Sequence, residues 1–340
     1  KAAGDGLLSR ALADSLESAL PSNRSLTSHP LPGDVISGYR LEGEIGRGAC
    51  SVVHSVAHEQ TGEEQAIKVV PKETLAEARR LKHALAEIAL VGRLGHPHIV
   101  AMHEAYNGPC HLFLRMERVG KRNLFQVMKA SRRPLGQRGI ARILPQLMSA
   151  VAFCHGRQLA HRDIKPENIA VSDCASTVKL LDFGCAVDSA VLRSDIEGTF
   201  PFMAPEVICA CDAQPYSPAS SDMWSCGVVC LEMLGGIGKF NRMLQWGQVE
   251  DLNPSRVGEL RTFFAEPSNL LRALQEHAKV CEDLLALVRG LLEVDPADRL
   301  AAEEALGSSV LWTLGRPKAP GGASTDDFGQ GRARRGRAEA

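Results

Sequence analysis

Residues 161–168 read "HRDIKPEN": a histidine, charges of alternating sign, a proline and a carboxamide within eight positions. An apolar run with helical spacing (Ile143, Leu147, Ala150, Val151, Cys154) precedes them, and a strand-like "IAV" follows. The octapeptide therefore reads as a loop between a buried helix and a strand. Asp182, in "LLDFG" (180–184), lies nineteen residues beyond Asp163, and two strand-like runs, "NIAVSD" and "TVKLL", separate them. A hairpin of that length returns the second aspartate beside the first. Two carboxylates and the Asn168 carboxamide make an oxygen-rich site suited to a hard divalent cation such as Mg²⁺. Lys165 adds positive charge for a transferring group. A carboxylate that takes a hydroxyl proton, oxygens on a metal and a lysine clamp together describe phosphoryl transfer.

Upstream, "IGRGACSVV" (45–53) lies between two strands. Gly46 and Gly48 permit a tight turn whose N–H groups approach phosphate oxygens closely. Glycine hairpins are common, and the stretch gains weight only from Lys68, at the end of "AIK". A lysine between Ile67 and Val69 in an apolar strand is costly unless paired. Glu87 is the natural partner, on a helix whose Leu85, Ile88 and Val91 mark its buried side. A solvated surface pair is the alternative, and the apolar flanks argue against it. Replacing Lys68 by Met is expected to abolish transfer and leave the fold nearly as stable.

The 340 residues are 44% hydrophobic and 23% charged, an ordinary globular composition. A net charge of −1 leaves no global field toward nucleic acid or anionic lipid. No apolar stretch approaches the roughly 18 residues of a membrane helix, and no signal peptide opens the chain. Ten scattered cysteines without a C-x-x-C pair suit reduced thiols of an intracellular protein, cytoplasmic or nuclear. Cys226 and Cys230, spaced i, i+4, read as core. His96, His98 and His103 invite a metal reading, but "GHPHIV" is also a plain turn into a strand.

Residues 1–38 read as a flanking helix and linker. Leu8, Leu12, Ser15, Leu16, Ala19 and Leu20 form a stripe that could dock on a partner or on the main domain, or belong to a marginal helix. Five short strands and one helix (about 74–94) fill a small lobe over about 39–117, and helical periodicity dominates a larger lobe over about 122–312. The expected class is α+β, two-lobed, with a five-stranded antiparallel sheet. Residues 313–340 form a Gly/Pro/Arg-rich tail expected to be disordered; its "GRARRGR" is at most a weak nucleic-acid or import-receptor contact.

In order and spacing, these motifs resemble the eukaryotic protein kinases over about 39–312. The resemblance implies a glycine-rich loop over ATP formed by Ile45, Gly46, Arg47, Gly48, Ala49, Cys50, Ser51, Val52 and Val53, with Ala66 packed on adenine. Lys68 would hold the α- and β-phosphates and pair with Glu87. Met116 is similar to the residue gating the back pocket, and Glu117 and Val119 to those offering backbone groups to adenine. Asp163 would take or orient the substrate hydroxyl proton, Lys165 would meet the γ-phosphate, and Asn168 and Asp182 would hold Mg²⁺. Val91, Met102, His161 and Phe183 match a hydrophobic stack linking the lobes. "MAPE" (203–206) would close the activation segment, with Glu206 paired to Arg299 and Asp222 anchoring the catalytic loop. Lys165 and Thr199 resemble the serine/threonine class, so protein serines and threonines are the expected acceptors. A pseudokinase would have lost Lys68, Asp163, Asn168 or Asp182, and all four are present. A small-molecule kinase would commonly lack the "GT…APE" segment.

Two departures stand out. Ser51 replaces the third loop glycine and Cys50 the tip aromatic; Cys50 and Cys185 read as inert small residues or as redox-sensitive thiols. Arg162 usually meets a phosphorylated residue four before the "GT" threonine, and here that position is Asp195. The expectation is that Asp195 partly replaces the phosphate, with phosphorylation of Ser194 as the rival.

Overall fold

The computed structural model describes residues 30–48, 51–246, 254–275 and 280–314, together with Leu20. Ala49, Cys50, most of the N-terminal stripe and the basic tail lie outside the described residues. Leu20 packs on a cluster built from Val70, Leu75, Leu81, Leu112 and Leu114.

The small lobe is one antiparallel sheet. Its strands are β1 (Val35–Ile36), β2 (Tyr39–Arg47), β3 (Val52–His58), β4 (Glu64–Pro71), β5 (Met102–Asn107) and β6 (His111–Glu117), in the order β1-β2-β3-β4-β6-β5. Six strands replace the five expected, because β1 falls in the stretch read as linker. Ser37 and Gly38 both have positive φ (49° and 82°), the geometry of a two-residue turn that matches strand twist. That turn pairs Ile36 with Tyr39, and fully buried Ile36 joins Leu41, Val56 and Phe113 in the sheet's core. Between β4 and β5 the chain makes a short 3₁₀ turn (Lys72–Ala76) and then α1 (Ala78–Val91). The helix is thus shorter than 74–94.

The larger lobe begins with β7 (Arg122–Asn123), α2 (Leu124–Ala130) and α3 (Gly136–His155). Asn123 caps α2: its side chain accepts from the Gln126 N–H while Gln126 returns a bond to the Asn123 N–H. In α3, Ile140, Ile143, Leu144, Leu147, Met148 and Val151 are buried along one stripe. That packing holds the helix despite Pro145, which removes one backbone bond at a cost of about 3 kcal/mol. Four short strands follow: β8 (Leu159–Ala160), β9 (Ile169–Val171), β10 (Val178–Leu180) and β11 (Val187–Asp188). Then come α4 (Pro205–Ile208) and α5 (Pro218–Gly235). A Ser217 cap and Pro218 in the first turn start α5, which is buried nearly all round and forms the lobe's axis. Cys226 and Cys230 are fully buried there. The rest is helical: α6 (Lys239–Met243), α7 (Pro254–Ala265), α8 (Pro267–Gln275), α9 (Glu282–Leu291), α10 (Ala302–Gly307) and α11 (Ser309–Leu314). No helix among the described residues is long and apolar enough to cross a membrane.

Candidate active site

The loop 161–168 hangs from α5 by one side chain. Asp222, 1% exposed, accepts from the N–H of His161 (2.8 Å) and of Arg162 (2.7 Å). Its Oδ2 also lies 2.9 Å from His155 Nε2. Arg162 takes a positive φ of 65° between these bonds, and fixed this way the loop presents Asp163 to the cleft. Asp163 Oδ1 accepts from Thr199 Oγ1 (2.7 Å), and Oδ2 from Lys165 Nζ (2.8 Å) and Asn168 Nδ2 (3.0 Å). Lys165 donates to Thr199 Oγ1 as well, at 2.7 Å. Both available N–H directions of Asn168 thus serve Asp163, since Nδ2 also donates to the Asp163 carbonyl at 2.8 Å. Its Oδ1 is the atom left for a cation.

The β9–β10 hairpin closes the distance between the two aspartates. Ile169 pairs with Leu180, and the Leu181 N–H donates to the Asn168 carbonyl at 2.9 Å. Asp182 follows in the left-handed region (φ 59°) and meets Lys68 Nζ at 3.1 Å. Lys68 also donates to Glu87 Oε2 at 2.7 Å. Burial alone would lower the Lys68 pKa, but Asp182 and Glu87 hold it above its ordinary value. Lys68 in turn keeps Asp182 below the usual carboxylate value. Burial raises Glu87, an effect that Lys68 partly offsets.

The cleft walls come from the sheet and the crossing strand. Register places Ala66 opposite Met116, Lys68 opposite Leu114, and Met102 opposite Met116. The Glu117 carboxylate is engaged by Lys179 Nζ at 2.8 Å. Gly120 has a stricter reason: a Cβ there would lie 2.2 Å from the Val171 carbonyl oxygen. In the glycine-rich stretch, Gly46 pairs with Val53 and the Gly48 N–H donates to the Ser51 carbonyl at 2.8 Å. Arg47 is exposed and bonds Glu44. Val91, Met102 and Phe183 share one cluster with the large lobe's core, and the His161 ring meets Phe183 edge-on at 4.8 Å.

The activation segment is tied at several points. Asp195 accepts from Arg162 Nη1 and Arg193 Nε, both at 2.8 Å. Burial would raise its pKa, yet the two arginines hold it well below the usual carboxylate range. Ser194 is half-buried beside it. Glu206 and Arg299 form a two-bonded pair (2.5 and 2.9 Å) with no solvent access to the arginine side chain.

Residues 39–311 match the family described as protein kinase domain. The chain belongs to the eukaryotic protein kinases. It is 33% identical to a putative CBL-interacting protein kinase 13 of Oryza sativa subsp. japonica over 76% of this chain and 47% of that protein. It is 31% identical to phosphorylase b kinase gamma catalytic chains, liver/testis isoform, of Bos taurus and Homo sapiens, over 77% of this chain and 63% of each. This kinase chain therefore spans less than two thirds of the length of those relatives.

Some site features of the kinase escape sequence reading. Glu197 lies beneath α1, bonded to Arg79 Nη2 (2.6 Å) and within 3.4 Å of His83 Nε2. Burial opposes its ionisation, but His83 and Arg79 bring its pKa to about 2. Arg79, His83 and Glu87 recur every four residues, so one helix face carries all three; that spacing was a signal available in advance. Buried Glu232 accepts from the Phe240 N–H at 3.1 Å, and burial lifts its pKa to about 7. Cys185 is a half-buried thiol whose pKa is pushed far up by burial and nearby carboxylates.

Proposed function

We propose that this chain transfers the γ-phosphate of ATP to serine and threonine hydroxyls of protein substrates, with Mg²⁺ as the metal. One observation carries the reading. A carboxylate, Asp163, is held by Lys165, Thr199 and Asn168 on one side of a cleft, and Lys68 joins Glu87 to Asp182 on the other.

The donor set fits Mg²⁺: Asp182 stays ionised beside Lys68, and the Asn168 amide is turned so that its oxygen is the remaining donor. When bound, the metal would neutralise phosphate charge. Lys68 would hold the α- and β-phosphates, and Ala66, Met116, Glu117 and Val119 would line the adenine site. Asp163, with both oxygens oriented, would accept the proton as the acceptor oxygen bonds to phosphorus and the bond to the β-phosphate oxygen breaks. Lys165 would offset charge on the transferred group. Its bond to Thr199 supports hydroxyl acceptors of the serine/threonine kind.

Asp195 would partly replace an activation-loop phosphate, because it already engages Arg162. A carboxylate carries less charge and fewer acceptor oxygens than phosphoserine, so the replacement would be incomplete. Ser194 phosphorylation is the competing switch. Reduced thiols at the nine described cysteines suit a cytoplasmic or nuclear setting, and the N-terminal stripe is a candidate docking element for partners.

The test is phosphate incorporation from ATP–Mg²⁺ into generic acceptor proteins. Asp163→Asn should lower it by about 10²–10⁴-fold; unchanged incorporation would refute the role. Phosphatase-treated protein should keep much of its activity and Asp195→Ala should lose it. Near-complete loss on phosphatase treatment would instead establish Ser194 or another phosphosite.

A further inference from the structure

Three side chains outside the phosphoryl-transfer site converge from three separate stretches: His83 on α1, Cys185 just after Phe183 and Gly184, and Glu197 in the activation segment. We propose that this trio binds one zinc-class transition-metal ion and that the ion fastens α1 to the activation segment. The proposal stands whether or not the phosphotransfer reading holds.

Two of the separations have the length of a tetrahedral edge, one to each oxygen of Glu197. With metal–sulfur near 2.3 Å and metal–nitrogen or –oxygen near 2.0–2.2 Å, neighbouring ligand atoms lie about 3.3–3.6 Å apart. Here His83 Nε2 lies 3.4 Å from Glu197 Oε2, and Cys185 Sγ lies 3.5 Å from Glu197 Oε1. All three donor atoms fall within 4.8 Å of one another. A thiolate, an imidazole and a carboxylate favour zinc over magnesium or calcium, which prefer oxygen alone.

The ligands are held before any ion arrives. The Cys185 carbonyl accepts from Arg162 Nε at 2.8 Å, and Thr199, two residues past Glu197, is clamped by Lys165. A cavity of about 380 Å³ opens beside His83 and Glu197, lined also by Arg79, Lys82 and Arg162, and gives a water access to the two ligands. Arg79 now supplies the cation at Glu197, but its side chain is 56% exposed and can turn into water. A bound ion would take over the charge that Arg79 now supplies to Glu197, whose own side chain is only 9% exposed. On binding, the Cys185 thiol releases its proton to solvent and the metal takes its place, with no change of oxidation state.

Co²⁺ added to the reduced full chain, without nucleotide, tests the site. One equivalent should give the absorption of a tetrahedral, thiolate-bound cobalt, removed by Zn²⁺ and unaffected by excess Mg²⁺. Cys185→Ser and His83→Gln should each abolish it, and Cys174→Ser, at an exposed thiol, should leave it intact. Absence of a thiolate-to-cobalt band overturns the proposal, as does its persistence in Cys185→Ser or its loss in Cys174→Ser. His83 is partly exposed, so its Gln variant folds independently of how the half-buried Cys185 variant behaves, and a cobalt band retained there is equally fatal.

Discussion

One ammonium at position 68 serves two carboxylates. The apolar flanks of Lys68 suggest that methionine would fit, but Glu87 is 95% buried and would lose its cation. Breaking such a pair by removing one partner costs about 3–5 kcal/mol. Lys68→Met should therefore lower the urea midpoint as well as remove transfer, and Glu87→Gln added to it should restore part of the midpoint. Equal midpoints for wild type and Lys68→Met would show that the pair is structurally neutral. At this scale the convergence of Lys68, Asp163 and Asp182 is readable in advance, because a charge in an apolar strand or two aspartates around a hairpin violate the surrounding pattern. Partners that break no pattern are not: nothing near Glu197 marks it as buried, and Arg79 is 118 residues away.

Elements are held to one another by charges whose protonation can be read out. Glu197 fixes the activation segment to α1, with a pKa near 2 in the folded chain against an ordinary 4.5. A depressed carboxylate contributes its full stability above the unfolded value and loses it as pH falls through the folded one. The Tm gap between wild type and Glu197→Gln should thus be widest near neutrality and shrink between about pH 4.5 and 2. A gap that stays constant down to the acid limit would mean the ion pairs contribute nothing. The helical state was legible where apolar spacing was strong, as in the Ile143–Cys154 run of α3 and at Cys226 and Cys230 in α5. Elements were missed where two residues sufficed, as in β1, whose signal is a turn in which Ser37 and Gly38 share positive φ. Helical periodicity extends over α6, α7 and α8, but their placement depends on tertiary contacts such as Phe240 and Trp246 against the core.

Across the whole molecule, the two lobes meet where Val91, Met102, His161 and Phe183 pack, and a ligand in the cleft touches both. A nucleotide that binds the folded chain alone stabilises it by mass action, about 2.7 kcal/mol at a concentration one hundred times its Kd. ATP with Mg²⁺ should raise Tm, and chelation or Asp182→Asn should remove most of the rise. A shift of the same size in Asp182→Asn would place the metal elsewhere. The order of motifs along the chain made the two-lobed plan readable, since glycine turn, strand lysine, loop and second aspartate need a cleft to meet.

Asp222 has a consequence for how this chain opens to solvent. Its two oxygens hold the amides of His161 and Arg162 from inside α5, the axis of the large lobe. Those amide protons cannot trade with deuterium while the axis stands, so they should exchange at the rate set by global unfolding. The reactive loop is then among the last places to loosen: any opening of the cleft has to turn about the loop's fixed foot, and cannot pass through it.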